Sequence, residues 1–182
     1  MRTIIAMTGA SGSAIGVEFI KNCPGEKFLI VTRWGKSVLH QETGLTVDDL
    51  APYVTKIFSS DDLNSPIASG SNYFDQFVVV PCSMVTLARI ANGLGENLVS
   101  RVGEIALKEN RRMLLAIRET PLSAIALENA LKLSRLGVTI MPLSPAFYMK
   151  PKTVEETTKL FVDHMMTTLS IPVKTGWRNQ EL

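Results

Sequence analysis

Short apolar runs, each closed by polar residues and each followed by a helical pattern, constrain this chain more than any other feature. Five stand out: Thr3–Met7 (TIIAM), Lys27–Thr32 (KFLIVT), Phe77–Pro81 (FVVVP), Met113–Ile117 (MLLAI) and Val138–Met141 (VTIM). A strand buried on both faces reads as a near-continuous apolar run, because helices cover both sides of its sheet. Such runs alternating with stretches of helical period predict an α/β fold. The architecture is a doubly wound parallel sheet in three layers, Rossmann- or flavodoxin-like. A length of 182 residues suits one core, so residues 1–182 are read as a single domain.

Open parallel sheets bind ligands just outside the carboxyl ends of their strands. The residues closing each run are therefore the candidates. They are Gly9, Ala10 and Ser11; Thr32; Ser83, Met84, Val85 and Thr86; Arg118 and Glu119; and Phe147 with Tyr148. The first run opens into T-G-A-S-G and then a helix with Ile15, Phe19 and Ile20 as its apolar face. Turn amides followed by a helix N-terminus favour a phosphate. The glycine spacing, Gly9, Gly12 and Gly16, is not that of the dinucleotide fingerprint, so a mononucleotide or a flavin is the better match.

The stretch Arg33–Glu42 reads as a helix with Trp34, Val38 and Gln41 on one side, stopped by Gly44. Val47–Leu50 is a short helix and Lys56–Phe58 a brief strand. Ser59–Ser71, rich in Ser, Asp, Pro and Gly, is a loop long enough to suggest function. Arg101, Glu104, Lys108, Arg111 and Arg112 recur at helical spacings, which puts several cations on one helix leading into MLLAI and near the strand ends. Leu122–Leu136 is a helix whose apolar positions are Ile125, Leu127, Ala130, Leu131 and Leu133. Val154–Leu169 is the last, with Leu160, Phe161, Met165 and Leu169 inward. The tail is polar except for Trp177, a residue type that packs onto a partner subunit or a ligand.

Charge and cysteine usage exclude several classes. A net charge of +2 gives no footprint for nucleic acid. Two distant cysteines, Cys23 and Cys82, form neither a disulfide framework nor a zinc motif, and they fit a reducing cytoplasm. Cys82 has no base beside it in sequence and is read as a buried structural residue. The two histidines, His40 and His164, are isolated, so no metal site is expected. The apolar stretch at the N-terminus is too short for a signal segment or a membrane span.

Several motifs in order, PCSMVTL, LVSRVGEIALKENRR, RETP and AFY, resemble the UbiX-type flavin prenyltransferases, within the wider fold group of homo-oligomeric flavin-containing cysteine decarboxylases. The similarity runs from residue 3 to about residue 177. The resemblance implies binding of reduced FMN and dimethylallyl phosphate. The prenyl carbons would join N5 and C6 of the flavin, phosphate would leave and no metal would be needed. The product, prenylated FMN, would serve a UbiD-type decarboxylase, and a dodecamer would carry its sites at subunit interfaces. By position, Gly9, Ala10, Ser11, Thr32, Ser83, Met84, Val85, Thr86 and Arg118 would hold FMN. Ser11, Glu42 and Glu119 would be the catalytic residues, Glu119 in proton transfer and Glu42 near the phosphate. Arg101, Lys108 and Tyr148 would hold the prenyl phosphate, with Trp177 beside the site.

The chemistry agrees with these residue types. Arg and Lys stabilise the leaving charge of an allylic phosphate, and a carboxylate takes the proton lost from C6. The chain departs from the family pattern twice. His164 stands where many members have an arginine on the substrate phosphate, and Leu63 where some have a tryptophan. Imidazole lacks the guanidinium fork, which weakens the grip on phosphate. Two other readings use the same fold. One is an FMN-dependent cysteine-type decarboxylase, disfavoured because a histidine in the first helix and a P-x-x-N-x-M clamp are missing. The other is a non-catalytic FMN-binding or delivery subunit, disfavoured by Glu119, Lys108 and Arg101.

Overall fold

In a computed structural model describing residues 1–177, all five apolar runs are strands and the brief sixth forms an edge. The strands are β1 (Arg2–Met7), β2 (Glu26–Val31), β3 (Lys56–Ser59), β4 (Gln76–Cys82), β5 (Arg112–Ile117) and β6 (Thr139–Pro142). Every pairing is parallel, in the order β3-β2-β1-β4-β5-β6. The helices are α1 (Ser13–Asn22), α2 (Arg33–Thr43), α3 (Met84–Ala91), α4 (Leu98–Lys108), α5 (Ala124–Arg135) and α6 (Val154–Thr168). Short 3-10 turns occupy Asp48–Tyr53, Pro66–Ala68 and Phe147–Met149.

Successive strand side chains point to opposite faces, and both faces are apolar. Ile4, Ala6, Phe77, Val79 and Leu115 pack under α3, α4 and α5. Ile5, Met7, Val78, Val80 and Leu114 pack under α1, α2 and α6. Thr32, Ser83, Asn97, Ser123 and Thr153 each cap a helix by accepting a hydrogen bond from its first turn. The sequence therefore sets both the layers and the helix starts.

Three helix readings need correction. The buried stripe of α2 is Gly35 and Leu39, while Trp34 is exposed. A Cβ on Gly35 would lie 2.5 Å from the Met7 carbonyl oxygen, so the helix can approach the end of β1 only through that glycine. Helix α4 stops at Lys108; Arg111 lies in the turn beyond it and Arg112 opens β5. On α5 only Ala126 and Leu133 are buried, and Ile125, Leu127 and Leu131 face outward. The apolar pattern of α5 is not a core pattern.

Candidate active site

The sheet order reverses at β1, with β2 on one side and β4 on the other. The crevice at its carboxyl end is a topological switch point. Thr8 ties the two sides of that point together. Its buried hydroxyl donates to the Pro81 carbonyl at 2.8 Å and accepts from the Ser83 N–H at 2.8 Å. Ser83 in turn caps α3 by accepting from the Thr86 N–H, and its hydroxyl lies 3.1 Å from that of Thr86. Met84 is half-buried and Val85 exposed beside them. Thr32 caps α2 through Gly35 at 3.1 Å. The end of β5 is held against β4 by the Arg118 N–H on the Cys82 carbonyl, which leaves the side chains of Arg118 and Glu119 exposed. Glu119 accepts from the Thr120 N–H at 3.0 Å.

Ala10 is buried, Gly9 and Ser11 exposed. A Cβ on Gly9 would fall 2.5 Å from the Cβ of Trp34. Only glycine lets the β1–α1 turn pass so close to α2. The Trp34 indole, 66% exposed, stands beside that turn with the Arg33 guanidinium 5.4 Å from its ring centre.

Glu42, in the last turn of α2, reaches back to the start of α1. It accepts from the N–H groups of Gly12 at 3.0 Å and Ser13 at 2.7 Å. Burial pushes this carboxyl up, but hydrogen bonds from the Ser11 hydroxyl and from the Ser13 and Gly12 amides outweigh it. The group is held below the ordinary glutamate range. The expectation of a free phosphate cradle at this helix start is corrected. A carboxylate of the chain itself takes those amides, since a helix N-terminus favours whichever anion reaches it.

Ser11 and Glu42 line a pocket of about 360 Å³ with Leu143, Pro145 and Phe161. Tyr148, His164 and Trp177 come together in a second pocket, of about 500 Å³, between the Phe147–Met149 turn, α6 and the segment after it. A third pocket lies between them: it shares Pro145 and Phe161 with the first and Tyr148 and His164 with the second. Five candidates far apart in sequence thus meet on one surface.

Lys108 does not join them within one chain, contrary to the expectation that the α4 cations lie near the strand ends. Arg101, close to the α4 start that the Leu98 N–H ties to the Ser60 carbonyl just after β3, lines neither pocket. Arg101 donates to the Ala68 carbonyl at 3.2 Å and pairs with Glu104 at 3.1 Å. Lys108 pairs with Glu109 at 2.6 Å, close to Gly70. Lys108 sits just before Arg112, at the amino end of β5, whereas Arg118 follows its carboxyl end. At about 3.3 Å per residue, the strand alone separates those levels by roughly 20 Å. Arg111 also belongs to the loop, donating to the carbonyls of Asn72 and Gly70.

The Flavoprotein family model matches residues 1–169. The flavin prenyltransferase UbiX of Methanocaldococcus jannaschii is 43% identical over 174 residues, covering 94% of each chain. This chain belongs to the UbiX-type flavin prenyltransferases. Among solved structures, a dodecameric FMN-dependent UbiX-like decarboxylase from Escherichia coli O157:H7 superposes with a TM-score of 0.93 at 36% identity. It covers 97% of this chain and 99% of that one. AnUbiX in complex with FMN and dimethylallyl pyrophosphate superposes at 0.90 with 34% identity, covering 97% and 98%.

Within this UbiX-type chain, two residues at the switch point escape the sequence reading. Thr8 directly follows β1, and only the pairing of β1 with β4 gives its hydroxyl two partners. Trp34 lies on the outward side of α2, and only the fold brings it against Gly9. Cys82 is fully buried, and burial pushes its thiol well up, which removes the thiolate needed for nucleophilic chemistry. Among the described residues, no three His, Cys, Asp or Glu side chains form a metal-ligand group.

Proposed function

We propose that this chain joins a dimethylallyl group from dimethylallyl phosphate to N5 and C6 of reduced FMN, yielding prenylated FMN. One observation carries the reading: an intermediate pocket links the Ser11–Glu42 pocket, through Pro145 and Phe161, to the Tyr148–His164–Trp177 pocket. A flavin site and a prenyl-phosphate site must be continuous for their atoms to react. The residues present fit a flavin nucleotide. Gly9 leaves the turn without a side chain beside an exposed indole, and Ser83, Thr86, Thr32 and Arg118 offer hydroxyls and a guanidinium at the strand ends.

Each role follows from chemistry. Arg118 and the hydroxyls bind the FMN phosphate by charge-assisted hydrogen bonds. Tyr148 and His164 donate to the prenyl phosphate, and Trp177 keeps water from an allyl group that develops positive charge. Glu42, which lines one pocket with Ser11 and accepts from the amides that follow it, holds that turn near the reacting flavin atoms. Glu119 takes the proton from C6.

Arg101 and Lys108 complete the site from a neighbouring copy. The dodecamer of the Escherichia coli relative and the distance of Lys108 from its own Arg118 support a homo-oligomer, with twelve subunits as the expected number. A UbiD-type decarboxylase is the expected recipient of the product, and the cytoplasm the expected location. No described helix is long and apolar enough to cross a membrane.

The test is anaerobic. The protein is mixed with reduced FMN and dimethylallyl phosphate, and the flavin mass is read for the prenyl adduct. An adduct is expected. Bound FMN without an adduct, from either the mono- or the diphosphate donor, would turn the reading to a delivery subunit. Absence of FMN binding would remove the switch-point site.

A further inference from the structure

We propose that the outward face of α5 is a two-fold contact with a second copy of this chain, formed by α5 lying antiparallel on its symmetry mate. Helix α5 carries more apolar residues than its own fold buries. Leu127 is 53% exposed, Leu131 51% and Leu136 61%. A shallow groove of about 450 Å³ runs along this face between Glu128, Leu131, Lys132, Arg135 and Leu136. Exposed leucines in a groove mark a contact surface.

Charge selects the occupant. Lys132 is committed within the chain, donating to the Asn92 side chain at 3.3 Å. Glu128 and Arg135 have no side-chain partner among the described residues. They are seven positions apart, so they share one helix face at roughly 10 Å spacing along the axis. An antiparallel copy centred between Leu131 and Lys132 brings Glu128 of each helix opposite Arg135 of the other. It satisfies both charges twice. It also brings the two Leu131 side chains together beside the axis, with Leu127 flanking them on the same side. A parallel pairing would set Glu128 on Glu128. The face is thus complementary to itself in the antiparallel sense, which is the requirement of an isologous interface. This specifies one contact of the assembly proposed above and is independent of prenyl transfer.

Two variants and a charge swap test it on the full-length protein. Cys23 and Cys82 are both buried, so in Leu131→Cys the new thiol is the exposed one. Mild oxidation is expected to give a covalent dimer on a denaturing gel. Glu128→Arg is expected to lower the native mass and abolish that cross-link. Adding Arg135→Glu is expected to restore both, while a variant that merely misfolds would not be rescued. No cross-link from Leu131→Cys, or an unchanged native mass in Glu128→Arg, would overturn this face while leaving the assembly intact. A wild-type protein that is monomeric would overturn the face and the assembly together.

Discussion

Thr8 shows how one hydroxyl positions a site. It holds the end of β1 to β4 and orients Ser83, the first residue of the hydroxyl pair with Thr86. Thr8→Val leaves the Ser83 N–H without its partner, at a cost of about 1–3 kcal/mol. Thr8→Ser should keep most of that stability. Urea unfolding separates the two, with FMN affinity falling for Val and recovering for Ser. Glu42 makes a pH-dependent contribution. Its folded pKa is depressed, so the stabilisation is present above the unfolded pKa and lost as pH falls through the folded one. Glu42→Gln should therefore lower the melting temperature near neutrality, and the gap to wild type should close in acid. His164 lines the pocket with Tyr148 and Trp177. His164→Arg supplies a permanent, forked charge and should lower the Kd for dimethylallyl phosphate roughly tenfold, measured by calorimetry on the FMN complex.

At the scale of elements, helix starts were legible and helix faces less so. Ser83 directly follows an apolar run, a position that favours a cap, and it caps α3. Asn97 opens α4 with a capping box, its side chain accepting from the Ser100 N–H at 2.9 Å while Ser100 reaches back to the Asn97 N–H. Asn97→Ala should cost about 1 kcal/mol and loosen the helix that carries Arg101 and Lys108. Hydrogen exchange over 98–108 is the measurement, and a uniform change across the chain would contradict a local role. The faces of α2 and α5 were misread for a common reason. Periodicity reports which residues share a face but not whether that face meets the sheet or the outside. Gly35 decides the matter for α2 by its approach to Met7. On α5 the two buried positions, Ala126 and Leu133, are outnumbered by the outward Ile125, Leu127 and Leu131.

For the whole molecule, the parallel sheet separates chemistry from support. Hydroxyls, Arg118 and Glu119 gather at one end, while Lys108 ends α4 at the other. If a neighbouring copy returns Lys108 to the site, Lys108→Ala and Glu119→Gln act on different chains of one active site. Each variant alone should make little adduct. Reassembled together in equal amounts they should regain about a quarter of the wild-type sites, the fraction that draws both intact residues from different copies. Mixtures with no gain would place both residues in a single chain's site.

The sequence by itself determined the parallel sheet, its three layers, the strand-end position of most candidates and the resemblance that named the chemistry. These depend on local pattern: apolar runs, capping residues and ordered motifs, each encoded within a few neighbouring positions. Only the tertiary structure decided that Glu42 occupies the start of α1, that Thr8 bridges two strands, and that Tyr148, His164 and Trp177 share a pocket linked through a second to that of Ser11. It alone set Lys108 far from Arg118 of its own chain and turned Leu127 and Leu131 of α5 outward. The physical reason is that these are contacts between residues distant in sequence. Their partners are chosen by chain crossing and packing, which periodicity along one stretch does not record.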